Sequence, residues 1–366
     1  MLFLYIIALI LLCLSFLYFK LSSSCREIRR IDPDGALYSL VYKGNYYSRL
    51  ARLPLKLIRS GSCSAFAAVN ENGEAVTGRN YDMPHMDQEK NITGLNIVVH
   101  LKPEGKYASV NCADAAWVSY LKIPYHKGSL DDGKTTHLPL FLIPYLCMDG
   151  MNEKGLTCSI LYLDVKEGET AAAQSTAGLE TVTINEMCRF IIDQCADVEE
   201  AVSLAKNYNM HNILKSDYHL FVSDAKGESC VLEWRYNTLY ITYTDACTNF
   251  YVAFDDAEDC YYSGELKERF IHPSEKTHAY HYGYGHGYDR FAVMTQRMDE
   301  KIDHSRDDLK PVISTQDCMH ILEEVSQQYN GMLTSYTQYS CVYNQKTLVL
   351  DLCVQQDYSR TYHFTI

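Results

Sequence analysis

The chain has 366 residues, enough for a large core in one or two domains, and its 47% hydrophobic and 22% charged residues are in ordinary globular proportion. Its formal charge of −13 is unevenly spread: residues 1–62 hold nine Lys/Arg against three Asp/Glu, and residues 63–366 hold 24 against 43. So acidic a body excludes nucleic acid as a partner, and fourteen cysteines without a CxxC pair or zinc-finger spacing argue against a structural metal.

Leu2 to Phe19 is an almost purely apolar run, long for a signal peptide core and close to a bilayer span. Lys20, Arg26, Arg29 and Arg30 follow it, a flank that favours a cytoplasmic body, while Ser22-Ser23-Ser24 offers a small-residue cleavage site. Residues 1–24 are therefore read as a signal peptide or membrane anchor, with the body exported or anchored outside and the topology open. Residues 25–62 are polar and basic and read as a leader removed on maturation.

The body opens with Cys63–Val69, Asn70-Glu71-Asn72-Gly73 and Glu74–Gly78, the pattern of a β-hairpin. A second hairpin is expected around Met151–Gly155, running into an apolar strand, Leu156–Leu163. Thr183 with Glu186 predicts a capped helix burying Ile184, Met187, Cys188, Ile191 and Ile192, and Asp197 with Glu200 predicts another. A meander of strands over 218–223, 230–235 and 239–244 follows. Next come a Tyr-, Gly- and His-rich loop (261–288), helices near 289–303 and 315–329, and a last hairpin over 341–354. His278, His281 and His286 in that loop lack ligand spacing and read as loop rather than metal site. Thirty tyrosines favour sheet, and strands and helices come in blocks, so the fold class is α+β in one domain, 63–366.

With Asn72-Gly73 as a two-residue turn, paired positions in the first hairpin sum to 145, setting Cys63 opposite Asp82 and Arg79 opposite Phe66. A slip of one position still leaves a thiol, a guanidinium and a carboxylate at the open end. Arg beside a thiol favours the nucleophilic thiolate, and Asp82 could hold a donor on Cys63. A surface hairpin with an incidental ion pair has the same local pattern.

Cys63, Gly78-Arg79-Asn80-Tyr81-Asp82, Asp149–Leu156, Thr248-Asn249-Phe250, Tyr288-Asp289-Arg290-Phe291 and Ser340–Asn344 stand in an order that resembles the choloylglycine hydrolase family. That family contains bile salt hydrolases and penicillin V acylases and is related to the penicillin-type acyltransferases. The likeness covers essentially all of residues 63–353. It implies a four-layer αββα N-terminal-nucleophile sandwich that hydrolyses a linear amide C–N bond of a small N-acyl compound, with no metal or organic cofactor.

By the same resemblance Cys63, freed at its amine by cutting Ser62–Cys63, is the nucleophile. Arg79 and Arg290 would orient the thiol, and Asp82 would hold the α-amine. Asn249 and Asn152 would form the oxyanion hole. Asn152 and Asn249 also suit turn residues, and Arg290 a partner to a carboxylate at a helix start. Sixty-two residues before the nucleophile are more than bile salt hydrolases usually carry and look more like the acylase and acyltransferase branches. Acyl transfer on the same thioester, or a membrane-anchored binding protein never cut, are the other readings. A homo-oligomer is compatible with all of them.

Overall fold

Alternation of apolar side chains along the strands builds two sheets that face each other. A computed structural model describes residues 24–25, 27–47, 61–85, 91–117, 125–163, 171–212, 217–235, 237–253, 287–304, 310–327 and 335–366. The run Leu2–Phe19 and the His278/His281/His286 cluster lie outside them. Among the described residues no helix is long and apolar enough to cross a membrane.

Along the chain the strands are β1 (Glu27–Arg30), β2 (Leu37–Tyr42), β3 (Ser62–Val69), β4 (Ala75–Asp82), β5 (Asn96–Leu101), β6 (Ser109–Asp114), β7 (Cys147–Asn152) and β8 (Thr157–Leu163). They continue with β9 (Glu180–Val182), β10 (Tyr208–Met210), β11 (Asp217–Ser223), β12 (Ser229–Arg235), β13 (Thr238–Tyr243), β14 (Ala246–Cys247), β15 (Thr337–Asn344), β16 (Val349–Val354) and β17 (Tyr362–Thr365). One large sheet has nine strands in the order β1-β2-β5-β6-β7-β8-β11-β12-β13, the other has six, β14-β3-β4-β15-β16-β17, and β9 and β10 form a separate two-stranded parallel sheet. Helices α1 (Ile184–Gln194) and α2 (Val198–Ala205) lie on the outer face of the first sheet, and α3 (Gly287–Asp299) and α4 (Thr315–Glu324) on the second. This is the four-layer αββα sandwich.

Period-two alternation assigns each strand residue to a layer. In β11 and β12, Leu220, Val222, Cys230 and Leu232 pack under α1 with Met187 and Ile191, whereas Phe221 and Val231 turn inward to the core between the sheets. Both predicted helix starts are capped as expected: Thr183 and Glu186 form a reciprocal capping box, and Asp197 accepts from the Glu200 N–H. The twelve cysteines among the described residues are all free and buried.

The segment read as a leader supplies two strands. β2 runs parallel to β5, register Leu37↔Asn96 to Tyr42↔Leu101, and β1 pairs with β2 at the sheet edge. Leu37–Tyr42 is itself a strand-like run, and the basic residues around it are what gave the segment the look of a leader.

The first hairpin is one position off the expected register. Cys63 pairs with Tyr81, Ser62 with Asp82 and Ala65 with Arg79. The loop has three residues rather than two, because the Asn70 side chain accepts from the N–H groups of Asn72 and Glu74 and Gly73 takes φ +76°.

Candidate active site

Cys63 lies at the start of β3, 3% exposed, where the open end of the β3–β4 hairpin meets β8 of the other sheet. Its backbone N–H donates to Asn249 Oδ1 at 2.6 Å. The same oxygen accepts from Arg290 Nη2 at 2.5 Å, and Asn249 Nδ2 donates to the Tyr162 carbonyl at 2.7 Å. Two donors face Oδ1 and a carbonyl faces Nδ2, so the amide has only one chemically sensible orientation. One Nδ2 hydrogen remains beyond the bond to Tyr162. Arg290, fully buried at the start of α3, also donates through Nη1 to the Cys63 carbonyl and to Ser64 Oγ.

Asp82 is fully buried, and its Oδ1 accepts from the Thr337 hydroxyl at 2.6 Å. Oδ2 accepts no hydrogen bond among the described residues, and the Arg290 guanidinium stands 3.7 Å from it. Burial pushes the carboxyl up to about 6, against the pull of Arg290, Thr337 and Arg79. The carboxylate is thus half-satisfied, buried, and in register with Ser62, the residue before Cys63.

Arg79 is held from behind. Its Nε donates to Asp149 Oδ2 at 3.0 Å, Nη2 to the Ile160 carbonyl at 2.7 Å and Nη1 to the Asn80 carbonyl at 3.3 Å. Burial opposes its charge, yet Cys63, Asp149 and Tyr339 hold the guanidinium protonated well above its ordinary range. The Asp149 carboxylate takes three further donors, the Tyr339 and Tyr343 hydroxyls and the Cys341 thiol. Donor atoms of Cys112, Asp149 and Cys341 lie within 4.8 Å of one another. The trio is a poor cation site, since both Asp149 oxygens are already taken and a guanidinium adjoins them.

Asn152 does not join this group. Its Oδ1 accepts from the Lys154 and Leu156 N–H groups, and its Nδ2 donates to the Ile192 and Cys195 carbonyls at the end of α1, each at 2.8 Å. Both amide hydrogens are spent, so none is left for an oxyanion. Asn152 shapes the β7–β8 turn as Asn70 shapes the β3–β4 turn, each with a glycine of positive φ three residues on, here Gly155 at +80°. The oxyanion assignment for Asn152 is thereby corrected.

Sequence reasoning missed the wall of the site. Tyr81, Met83, Trp117, Met148, Ile160, Tyr162 and Tyr218 line a small apolar cavity beside Cys63. Trp117 Nε1 donates to the Tyr81 hydroxyl at 2.8 Å, which donates to Asp114, so the aromatic wall is fixed by buried polar bonds. Gly61 closes one side: a Cβ there would meet Met83 Sδ at 2.9 Å. Behind Asn249, His219 Nε2 donates to the Thr248 carbonyl and Glu233 accepts from the Val252 and Ala253 N–H groups, pinning the segment on both sides. No spacing rule joins residues 219, 233 and 249; the only sequence signal was their strand-forming context.

The family model for linear amide C–N hydrolases, choloylglycine hydrolase family, matches residues 63–249. A penicillin V acylase from Pectobacterium atrosepticum is 29% identical over 94 residues, which span 24% of this chain and 24% of that relative. Among solved structures, a variant of the conjugated bile acid hydrolase from Clostridium perfringens superposes with a TM-score of 0.57 at 16% identity, covering 83% of this chain and 92% of that one. Penicillin V acylase from Agrobacterium tumefaciens gives 0.53 at 18% identity, covering 83% and 86%. At these identities the superpositions speak for the fold.

Proposed function

Because the chain belongs to the choloylglycine hydrolase family of linear amide C–N hydrolases, we propose that it hydrolyses the C–N bond of an N-acyl compound through a thioester on Cys63. The observation that carries the proposal is the arrangement at one backbone nitrogen. Cys63 N is gripped by Asn249, a buried Asp82 oxygen without a donor lies on the neighbouring strand across from Ser62, and an apolar cavity opens beside Cys63.

Maturation comes first. The Cys63 thiol attacks the Ser62 carbonyl, the acyl group passes from nitrogen to sulfur, and water cleaves the thioester, leaving a carboxylate on Ser62 and a free amine on Cys63. Ionised Asp82 then receives the ammonium hydrogen it lacked. In turnover the thiol adds to the substrate carbonyl and its proton passes to the α-amine. That amine suits the task, with a reference pKa near 7.7–8.0. The tetrahedral oxyanion takes the spare Nδ2 hydrogen of Asn249. The C–N bond breaks as the leaving amine accepts the proton, and water hydrolyses the thioester to release the acid.

The aromatic and Met-lined wall selects an apolar acyl group, charged amides being penalised by desolvation. In the uncut chain the cavity measures about 40 Å³, far below the roughly 300–1,000 Å³ of a ligand pocket. Gly61, two residues before Cys63, lines that cavity, so a cut that lets Gly61 and Ser62 move away would enlarge it. The test is amine release from a panel of N-acyl amides, including penicillin V and a conjugated bile acid, with hydroxylamine added to trap the acyl group. Protein that begins at Cys63, is folded, and releases amine from none of them overturns the assignment. For Leu2–Phe19 the proposal is an export signal or external anchor, checked by protease access to the body on intact cells.

A further inference from the structure

We propose that the segment from Ser24 to Tyr47 stays on the body after Ser62–Cys63 is cut, as a second, non-covalently bound chain. The inference rests on the cut proposed above but not on the amidase chemistry. A leader that is shed needs an interface that both sides can lose to water, which means a polar and weakly packed one. This segment has the opposite character.

Cys25, Leu37, Tyr38, Leu40, Tyr42 and Tyr46 are each at most 7% exposed and belong to the main hydrophobic core. β2 lies between β1 and β5 in the nine-stranded sheet, so its departure would leave six residues of β5 without a strand beside them and create a raw edge. Parallel pairing of this kind belongs to strands covered on both faces. Beyond the strand, the Gly128 N–H donates to the Gly35 carbonyl at 2.8 Å. The two backbones meet so closely that a Cβ on Gly35 would stand 2.8 Å from Gly128 Cα. Only glycine fits there, and it is a keyed contact between segment and body.

The strongest tie is polar and buried. The hydroxyls of Tyr46 and Tyr47 both donate to Asp193 Oδ2, at 2.9 and 2.6 Å, while Arg189 pairs with Oδ1 at 2.7 Å. Asp193 and Arg189 sit on α1, and Asp193 is fully buried. If the segment left, a buried carboxylate would lose two donors at once, a loss that water must make good only by entering the layer between helix and sheet. At the other end of the segment, Arg30 and the Tyr38 hydroxyl converge on Asp131 at 2.6 and 2.7 Å.

Two preparations test the inference. Wild-type protein carrying a C-terminal tag is purified and gel-filtered under native conditions, and the peak is then analysed by denaturing mass spectrometry. The expected result is two polypeptides in one-to-one ratio, one ending at Ser62 and one beginning at Cys63. A body beginning at Cys63 without its N-terminal partner overturns the inference. The second preparation is Cys63→Ala with a site-specific protease sequence inserted between Ser48 and Ser60, cut by that protease. Here the segment should co-elute until denaturant is added, and Tyr46→Phe with Tyr47→Phe should raise the released fraction several-fold at a given urea concentration. Release on cutting alone overturns the inference. A wild-type chain that never cuts itself counts against the proposed maturation, and the second preparation still decides whether the segment holds.

Discussion

The side-chain oxygen of Asn249 accepts the backbone N–H of Cys63 at 2.6 Å in the uncut chain. The nitrogen proposed as general base is thus already held in the uncut chain, by a residue 186 positions away in sequence. Asn249 has a second duty toward Tyr162 and a third toward Arg290.

Asn249→Ala should therefore lower turnover by roughly 10²–10³, the scale for losing one oxyanion donor. Because three buried partners lose their bonds as well, it should also destabilise the fold by about 1–3 kcal/mol. Steady-state kinetics beside urea unfolding separates the two effects. Normal turnover with the stability loss alone would make Asn249 a purely structural residue.

Asn152→Ala should behave differently. Its amide closes the β7–β8 turn and ties it to the end of α1. We expect a stability loss of about 1–3 kcal/mol, with kcat of the surviving folded protein within a few-fold of wild type. A drop in kcat as large as that for Asn249→Ala would restore Asn152 to the oxyanion hole.

Maturation predicts that active protein begins at Cys63 and that Cys63→Ala accumulates full length. N-terminal sequencing and intact mass read this directly. Acetylating the new α-amine, with the thiol reversibly protected, should abolish turnover. Full activity with a blocked amine would leave the thiol chemistry standing and remove the amine as base.

Asp82 gives a pH prediction whose sign follows from burial. Its carboxyl is raised from 3.8 to about 6, so it is harder to ionise in the folded chain than in the unfolded one. The associated stability is fully present below the unfolded value and is lost as pH rises through about 6. Uncut Cys63→Ala protein should thus lose ~2 kcal/mol between pH 4 and 7 relative to Cys63→Ala with Asp82→Asn. Denaturant titrations at both pH values measure the difference. In mature enzyme the ammonium on Cys63 offsets that penalty, and Asp82→Asn should move the acid limb of kcat/KM to lower pH, because the amine then loses its proton more readily. An unmoved limb would separate Asp82 from the amine.

Much of the layout was legible in local chemistry. The caps at Thr183 and Asp197, the Gly-containing turns and period-two strands need only neighbours in sequence to be recognised, because hydrogen-bond geometry over three or four residues decides them. The clustering of Cys63, Arg79 and Asp82 was equally accessible, since a hairpin brings its own ends together whatever its exact register. Long-range packing alone decided the rest. A single side-chain cap by Asn70 shifted the hairpin register by one and placed Tyr81, not Asp82, across from Cys63. Asn152 and Asn249 carry the same amide, and only the carbonyls of Ile192 and Cys195 at one and the N–H of Cys63 at the other tell a turn cap from a site residue. The stretch before Cys63 likewise joined the sheet through parallel pairing with β5; the run Leu37–Tyr42 is β-prone by itself, but its partner lies 59 positions away, Leu37 with Asn96, and no local pattern names it.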